Sequence, residues 1–470
     1  MAIVAAVAAV AAGCGSDDDA GDQGQAATTA AAAAAGAVTD DPATWGVRDK
    51  KLLGPGEFTI DLSKCPAKWS ETAGITDTEI RIGQSLAQSG PNAGIANVGL
   101  GMKAYFDLVN NTEGGVAGKK LTLVQRDDGY EAARGKAAVD ELIETANVFA
   151  FGGVVGTPIN LAVYDKLNEE CYPHLSSGTA HPAFGDPVNH PWTVPVPSSS
   201  YSTEAQIWGQ YIVEKYGKGA SVAALVANND FGLSYKAAFD VFAKENGLNV
   251  KYELHDVQAA SVTNEMTNLA SSNADVIILM TLLNFCTFGM QYMGQSSWKP
   301  KERLISQTCN IVTYFKPAGA AADGWVSISD RLDNADPEHI KLPFIASMRD
   351  QASKLGYDPN NSLVGQGYGL YAWPLVDTLK RAAQLKGGLT RTNAILAARK
   401  VESFSPFSRE GIKYSMNGAK DAFPVEGAVT VRYTLEAGKD VGANIPFGQV
   451  IDLNGKTPNC SWDGKQCRAG

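Results

Sequence analysis

The sequence has an excess of acidic over basic residues, with 50 Asp and Glu, 40 Lys and Arg, and a net charge of −10. Binding to nucleic acid through its phosphates requires a basic surface, so this balance argues against nucleic acid as a partner. We also find no long run of one charge sign. The acidity therefore indicates a soluble surface rather than a charged binding tail.

The motifs of common enzyme classes are absent. There is no G-x-S-x-G elbow, no Walker A loop and no G-x-G-x-x-G after the first predicted strand. GGVAGKK has the wrong spacing for a phosphate loop, with Lys120 where Ser or Thr is needed, and GLGMKAYF lies within a predicted helix. Asp127 and Asp128 are adjacent on a predicted strand end, so they point to opposite faces. No CxxC or HExxH occurs and the five histidines are scattered, so we expect no metal, no cofactor and no catalytic residue.

The N-terminus has an apolar run that is too short to cross a bilayer, which takes about 20 residues. The run from Ala2 to Ala12 predicts a secretory signal, residues 1–13, and small residues precede Cys14. This pattern resembles the lipobox of bacterial lipoproteins, although Ala11 replaces the preferred Leu or Val and no Lys or Arg precedes the run. We expect Cys14 to carry a lipid; the alternative is a plain secretory signal. Residues 14–45 are rich in Gly, Ala and Asp and predict a flexible tether.

Six cysteines remain after Cys14, and an even number in an exported protein suggests disulfides. They allow 15 pairings. Cys460 and Cys467 flank a short polar loop, and Cys286 and Cys309 follow two successive predicted strands. The spacing favours the pairs Cys460–Cys467 and Cys286–Cys309, and Cys65 and Cys171 are then left as the third pair.

From Glu79 the chain alternates apolar strand segments with amphipathic helix segments, which predicts a parallel sheet covered by helices. A segment with five prolines, residues 180–201, interrupts this alternation and predicts a crossing between two lobes. A second α/β unit is complete by about Gly324. The segments GAVTVRYTLEAG and FGQVIDLNGK then predict a β-hairpin.

Small and hydroxyl residues follow several of the predicted strands. In open α/β sheets ligands bind at these carboxyl ends, where glycine allows a close backbone approach and hydroxyls donate or accept hydrogen bonds. Thr157 is also a candidate cap of the following helix. The alternative is that these residues only form turns and helix caps. The candidate binding residues are Gln88, Ser89, Gly156, Thr157, Gly178, Thr179 and Thr308.

Three segments together resemble a known family. NNTEGGVAGKKLTLVQRDD, EIRIGQSLAQSGPNAG and NNDFGLSYKAAFDVFAKENG are similar to stretches of the branched-chain amino-acid-type (Leu/Ile/Val-binding) substrate-binding proteins of ABC transporters, in order over about residues 76–450. The resemblance implies the type I periplasmic-binding-protein fold. This is an α/β fold with two Rossmann-like lobes joined by a three-segment hinge, and the solute binds between the closing lobes.

The resemblance also implies roles for single residues. A hydroxyl that meets a substrate carboxylate falls on Thr157, backbone and hydroxyl groups fall on Gly178 and Thr179, and a packing aromatic falls on Phe231. Leu282 and Tyr368 are further binding candidates. The acid that pairs with a substrate ammonium falls on Thr308, which carries no charge. A simple α-amino acid ligand would then need Asp230 or another acid, and a ligand with an apolar portion and a carboxylate or amide fits better.

We therefore expect no enzyme but the solute-binding component of an ABC-type importer, outside the cytoplasmic membrane. The expected partners are a small solute, an ABC permease and, through the lipid, the membrane, with the protein itself a monomer. A ligand sensor that signals to a membrane partner is the alternative; an exported enzyme would need a nucleophile–base pair. The predicted division is signal peptide 1–13, tether 14–45, N-terminal extension 46–76, lobe 1 first part 77–197, lobe 2 198–325, lobe 1 return 326–428, and lobe 2 hairpin with disulfide tail 429–470.

Overall fold

The computed structural model describes residues 41–469. The predicted signal peptide, Cys14 and nearly all of the predicted tether lie outside these residues. Within the described part of the chain, no helix combines the length and the apolar composition that a membrane span requires.

The N-terminal extension forms a small antiparallel sheet that the sequence did not reveal. Its strands are β1 (Gly46–Arg48), β2 (Lys51–Leu53) and β3 (Thr59–Asp61), in the order β1-β2-β3. Leu52 and Phe58 are fully buried. A disulfide between Cys65 and Cys171 joins the extension to the first lobe.

The first lobe contains a five-stranded parallel sheet in the order β5-β4-β6-β7-β8. Helices α1 and α2 both pack on its first two strands, as expected for the βα alternation read from the sequence. The elements are β4 (Glu79–Leu86), α1 (Ala96–Thr112), β5 (Lys120–Asp127), α2 (Ala132–Glu144), β6 (Ala150–Gly152), α3 (Thr157–Glu169), β7 (His174–Ser177) and β8 (Thr193–Pro195).

The second lobe contains an eight-stranded sheet in which β10-β9-β11-β12-β13 are parallel. Every residue of the central strand VIILM is buried, because helices cover a parallel sheet on both faces. The elements are α4 (Tyr201–Tyr216), β9 (Ser221–Ala227), α5 (Asp230–Asn246), β10 (Asn249–His255), α6 (Thr263–Ala270), β11 (Val276–Met280), α7 (Asn284–Gln295), β12 (Glu302–Ile305), α8 (Val312–Phe315) and β13 (Val326–Ser329).

The chain then returns to the first lobe, where α9 and α10 pack against α1. Strand β13, which opens the predicted return segment, still pairs with β12 in the second sheet, so the crossing follows it at Asp330. The returning elements are α9 (Pro343–Lys354), α10 (Ser362–Gln366), a π-helical turn (Gly367–Ala372), α11 (Trp373–Gln384), α12 (Arg391–Arg399), β14 (Lys400–Ser403) and β15 (Tyr414–Asn417).

The C-terminal strands complete the second sheet and add a disulfide-closed tail. Strand β16 pairs antiparallel with β13, β17 and β18. The predicted hairpin partner FGQVIDLNGK contributes only the two residues of β18, because ANIP pairs with the last four residues of β16. These strands are β16 (Gly427–Thr434), β17 (Ala443–Pro446), β18 (Ile451–Asp452), β19 (Cys460–Trp462) and β20 (Cys467–Ala469).

The six cysteines are joined as Cys65–Cys171, Cys286–Cys309 and Cys460–Cys467. The last two are the pairs that the spacing favours, and the first is the pair that was left. The disulfide Cys286–Cys309 links the start of α7 to the loop after β12, at the carboxyl ends of the strands of the second sheet.

Gly101 allows α1 to pack directly on the returning chain. A Cβ at this position would lie 1.9 Å from the carbonyl oxygen of Val364 and 2.8 Å from the amide nitrogen of Tyr368. We expect Gly101→Ala to lower the free energy of unfolding by roughly 2 kcal/mol, the usual cost of overpacking, although alanine favours helix. Urea unfolding checks this. Gly94→Ala, where nothing lies within 4 Å of the added Cβ, is the control. Equal stability of the two variants would contradict the close packing.

Candidate functional site

A cleft lies where the carboxyl ends of the strands of both lobes meet. It holds about 760 Å³ of non-atom space, including open solvent at its mouth. This is the place where open α/β sheets bind ligands. Its walls come from both lobes and from the crossings between them: Ile95, Val98, Tyr130, Val155, Gly156, Thr157, Gly178, Thr179, Ala180, Val196, Ser198, Tyr201, Phe231, Leu282, Leu283, Gln307, Thr308, Tyr314, Arg331, Leu363, Gln366, Leu370 and Tyr371.

Two hydroxyls lie side by side on the first-lobe wall. The Oγ1 atoms of Thr157 and Thr179 are 2.8 Å apart, and both side chains are buried. Gly156, not Thr157, is the N-cap residue of α3, and no side chain caps this helix. The predicted capping role of Thr157 is therefore wrong: its hydroxyl points to Thr179 instead. This pair can donate to and accept from a polar ligand group.

Gly156 lets the first-lobe wall close around Tyr130. Its φ of 115° lies in the region that favours glycine, and an added Cβ would lie 2.7 Å from the Tyr130 ring. Tyr130 itself has a φ of 64°, and its amide donates to Asp128 Oδ1 at 2.8 Å. The carboxylate of Asp128 thus fixes a cleft residue and does not share a site with Asp127.

The second-lobe wall is mainly apolar and aromatic. Phe231 is 2 % exposed and packs edge-to-face on Tyr201, with ring centroids 4.9 Å apart. Leu282 and Thr308 also line the cleft. Asp230, the acid considered for pairing with a ligand ammonium, is exposed and is not part of the lining.

The three chain crossings are tied together beside the cleft. Asp330 Oδ2 accepts hydrogen bonds from Ser198 Oγ at 2.6 Å and from the amide of Ser199 at 2.9 Å. Arg331 Nη1 donates to Ser198 Oγ at 2.7 Å and to Asp330 Oδ1 at 2.9 Å. Ser199 Oγ reaches the third crossing, where it donates to the carbonyl oxygen of Gly427 at 3.1 Å. This network fixes the crossings on which a hinge motion would turn.

Three predicted binding residues do not line the cleft. Asp127 holds the loop after β4, because it accepts hydrogen bonds from the Gln88 amide at 2.7 Å and from Ser89 Oγ at 2.5 Å. Gln88 and Ser89 are both exposed. Tyr368 is 1 % exposed and packs on the Tyr105 ring inside the first lobe. Of the predicted residues, Gly156, Thr157, Gly178, Thr179, Phe231, Leu282 and Thr308 are brought together at the cleft.

Four tyrosines at the cleft were missed by the sequence analysis. Burial raises the pKa of each phenol, so all four stay neutral and can donate hydrogen bonds. One of them, Tyr371, follows Tyr368 by three residues, which is close to one helical turn. For Tyr130 alone the sequence offered a signal, because this residue follows the end of the predicted strand LTLVQRDD. The four are Tyr130, Tyr201, Tyr314 and Tyr371.

Gln307 supplies a buried polar group at the same cleft. Its Nε2 donates to the carbonyl oxygen of Ser199 at 2.9 Å, and its Oε1 has no donor among the described residues. Its backbone amide donates to Glu204 Oε1 at 2.7 Å. A buried acceptor without a donor is costly, so a ligand or water hydrogen bond at Oε1 would stabilise the site.

The lining residues offer groups that can bind a molecule. Within the described chain the lining contains no His, Cys, Asp, Glu or Lys. The one serine, Ser198, hydrogen-bonds to Asp330 and accepts from Arg331. Hydroxyls, phenols, the two side-chain amides of Gln307 and Gln366 and one guanidinium remain to bind a polar group, and the apolar walls can contact an apolar one.

Comparisons with known proteins agree with this architecture. A search of curated protein sequences finds no match. Among solved structures, a fatty acid ABC transporter substrate-binding protein from Thermomonospora curvata is 20% identical with a TM-score of 0.68, covering 82% of this chain and 96% of that one. A branched chain amino acid ABC transporter from Thermus thermophilus with bound valine is also 20% identical, with a TM-score of 0.69 and coverages of 80% and 98%. A solute binding protein of an ABC transporter from Rhodopseudomonas palustris BisB5, in complex with 3,4-dihydroxy benzoic acid, is 18% identical with a TM-score of 0.64 and coverages of 80% and 98%.

These identities are low, so the three structures establish the shared fold and not a shared ligand. They confirm the predicted two-lobed α/β architecture. A family model described as periplasmic binding protein matches residues 79–433, which is more than half of the 470 residues. The chain belongs to the periplasmic binding protein family.

Proposed function

We propose that this protein is the solute-binding component of an ABC-type importer and binds a small polar solute between its two lobes. The observation that carries the proposal is a single cleft walled by the strand ends of both lobes, beside three hydrogen-bonded crossings. Closure of the lobes would remove water from the polar contacts and strengthen them. The solute class is an amino acid, an amide or a carboxylate-bearing compound.

The proposal extends to the location of the protein and its partners. Members of this family work outside the cytoplasm, and we propose that Cys14 carries a lipid that holds the chain at the outer face of the membrane. The closed form would then be what an ABC permease recognises, with one binding protein acting as a monomer. We also propose the predicted division into lobes with one change: the second crossing begins at Asp330, because β13 still pairs with β12.

Reversible binding without turnover is the direct test. A thermal-shift screen of amino acids, amides, carboxylates and aromatic compounds should find a compound that raises the melting temperature, because a ligand that binds only the folded state stabilises it. Mass spectrometry of that compound after long incubation with the protein should show it unchanged. Chemical conversion of the compound would overturn the proposal in favour of an enzyme.

Two cleft substitutions test the position of the site. Thr157→Ala removes one of the paired hydroxyls, and Phe231→Ala removes the aromatic wall of the second lobe. Each should weaken binding of the compound found in the screen by about tenfold, which corresponds to the loss of one hydrogen bond or one packing contact. Isothermal titration calorimetry measures this. Val241→Ala, at a 60 % exposed position on the same helix as Phe231, should bind normally. Unchanged affinity in both cleft variants would place the site elsewhere.

A further inference from the structure

One charged residue, Arg331, lines the cleft, and its ion-pair partner Asp330 lies behind the lining, 2.9 Å from Nη1. Arg331 is the one ionisable acid or base, phenols aside, among the lining residues that the structure describes. In a water-poor site such a charge determines which ligands can bind, because a buried ion without a partner is costly. The positive charge of Arg331 can therefore be used to infer the charge of the solute.

The guanidinium of Arg331 has N–H groups that can still bind a ligand. Of its five N–H groups, only those on Nη1 are hydrogen-bonded, to Ser198 and Asp330. Nε and Nη2 have no acceptor among the described residues. Asp330 is 1 % exposed, and both of its carboxylate oxygens accept hydrogen bonds, so it holds the guanidinium in place from outside the cleft. A guanidinium presented in this way matches a carboxylate through two parallel hydrogen bonds.

A ligand ammonium would find no partner charge here. Thr308 is neutral, and the nearby buried acid Glu204 already binds the Tyr235 hydroxyl and the Gln307 amide. Burial raises the pKa of Glu204 to about 8, so this carboxyl is mostly protonated at neutral pH. An α-amino acid would thus bury its ammonium beside a guanidinium, which is the reverse of the pairing that it needs.

The remaining walls favour an organic acid over an inorganic anion. They are formed mainly by aliphatic side chains and aromatic rings: Ile95, Val98, Phe231, Leu282, Leu363 and Leu370. We propose that the solute is a carboxylate with an apolar body and no ammonium group, and that Arg331 is the residue that selects its charge. This inference rests on the proposed function and narrows it to one chemical class.

Matched ligands test the class. The full chain is titrated calorimetrically with 4-methylpentanoate and 3-phenylpropanoate, with their 2-amino acids leucine and phenylalanine, with their 2-hydroxy acids, and with their amides. At least one carboxylate or hydroxy acid should bind ten times or more tighter than both the amino acid and the amide of the same skeleton. An amino acid or amide that binds as tightly, or failure of every acid to bind, would overturn the proposal.

The same measurement separates this inference from the proposed function. Tight binding of leucine or phenylalanine, recovered unchanged, would refute charge selection by Arg331 and leave the solute-binding function intact. Conversion of any of these compounds to a product would instead refute the binding function.

Variants of Arg331 test its role. Arg331→Gln should weaken binding of the preferred acid at least thirtyfold but leave binding of the amide in place, so that the preference for acid over amide is lost; loss of fold would remove both. Arg331→Lys keeps the charge but not the forked geometry, so it should retain part of the preference and provides the test if the Gln variant misfolds. Arg126→Gln, at a surface residue paired with Glu141, should bind like the unmodified chain. A preference that survives in both Arg331 variants would refute the assignment.

Discussion

Replacing Cys65 and Cys171 together with serine is expected to lower the free energy of unfolding by about 5 kcal/mol. The two residues are 106 positions apart, and cross-linking so long a segment removes much conformational freedom from the unfolded chain. In the folded state the bond holds the N-terminal extension against the first lobe. There the Trp69 indole donates to the carbonyl oxygen of Cys171 at 2.8 Å and packs edge-to-face on Trp192.

The C-terminal bridge is the matched control for this prediction. Cys460 and Cys467 are 7 positions apart, and by the same chain-entropy relation their replacement should cost about 2 kcal/mol. Urea unfolding of both double variants, followed by circular dichroism, gives the comparison. Equal losses, or a larger loss for the C-terminal pair, would show that loop length does not govern the stabilisation here.

The βα framework was predictable because its signal is local. Strands such as Val276–Met280 are short apolar runs, and the helices between them carry apolar residues at helical spacing, so each element can be recognised by itself. The positions at strand ends follow from that framework. This is why Gly156, Thr157, Gly178 and Thr179 could be predicted to lie at strand ends, and these residues line the cleft.

The N-terminal sheet could not be predicted in the same way. Its strands have three residues each, with mixed burial, and they are defined by pairing with one another and by packing on a distant part of the chain. Phe58 is fully buried under the Arg399 guanidinium, 5.1 Å from its ring, although some 340 positions separate the two. No sequence window contains both residues.

Arg331 was missed for a related reason. It follows the strand VSIS, which the sequence analysis assigned to the start of the first-lobe return. In the structure this strand closes the parallel part of the second sheet, and the next two residues form the crossing beside the cleft. The position of the Arg331 side chain depends on a residue of another crossing, Ser198, whose hydroxyl accepts a hydrogen bond from Nη1. Predicting that a charged residue lines the cleft therefore required the topology of the chain, which local sequence patterns do not show.

The free energy of unfolding is expected to fall between pH 5 and pH 8, and replacing Glu204 with glutamine is expected to remove most of this fall. Burial raises the pKa of this carboxyl from 4.5 to about 8, with a smaller contribution from Asp330. The folded state therefore keeps a proton that the unfolded state releases near pH 4.5. The stabilisation is full below that pH and is lost progressively as the pH rises to about 8. Over pH 5 to 8 the loss is on the order of 4 kcal/mol.

Glutamine preserves the shape and the polar contacts of the protonated acid without a titrating group. Its amide can still meet the Tyr235 hydroxyl and the Gln307 amide, which lie 2.6 and 2.7 Å from the carboxyl oxygens. Relative to the unmodified chain, Glu204→Gln should gain stability steadily from pH 5 to pH 8, as measured by urea unfolding at each pH. Glu214→Gln, at an exposed position on the same helix, should run parallel to the unmodified chain. Parallel behaviour of Glu204→Gln would mean that the carboxyl is ionised when buried, and Glu204 would then add a second negative charge, besides that of Asp330, behind the cleft wall.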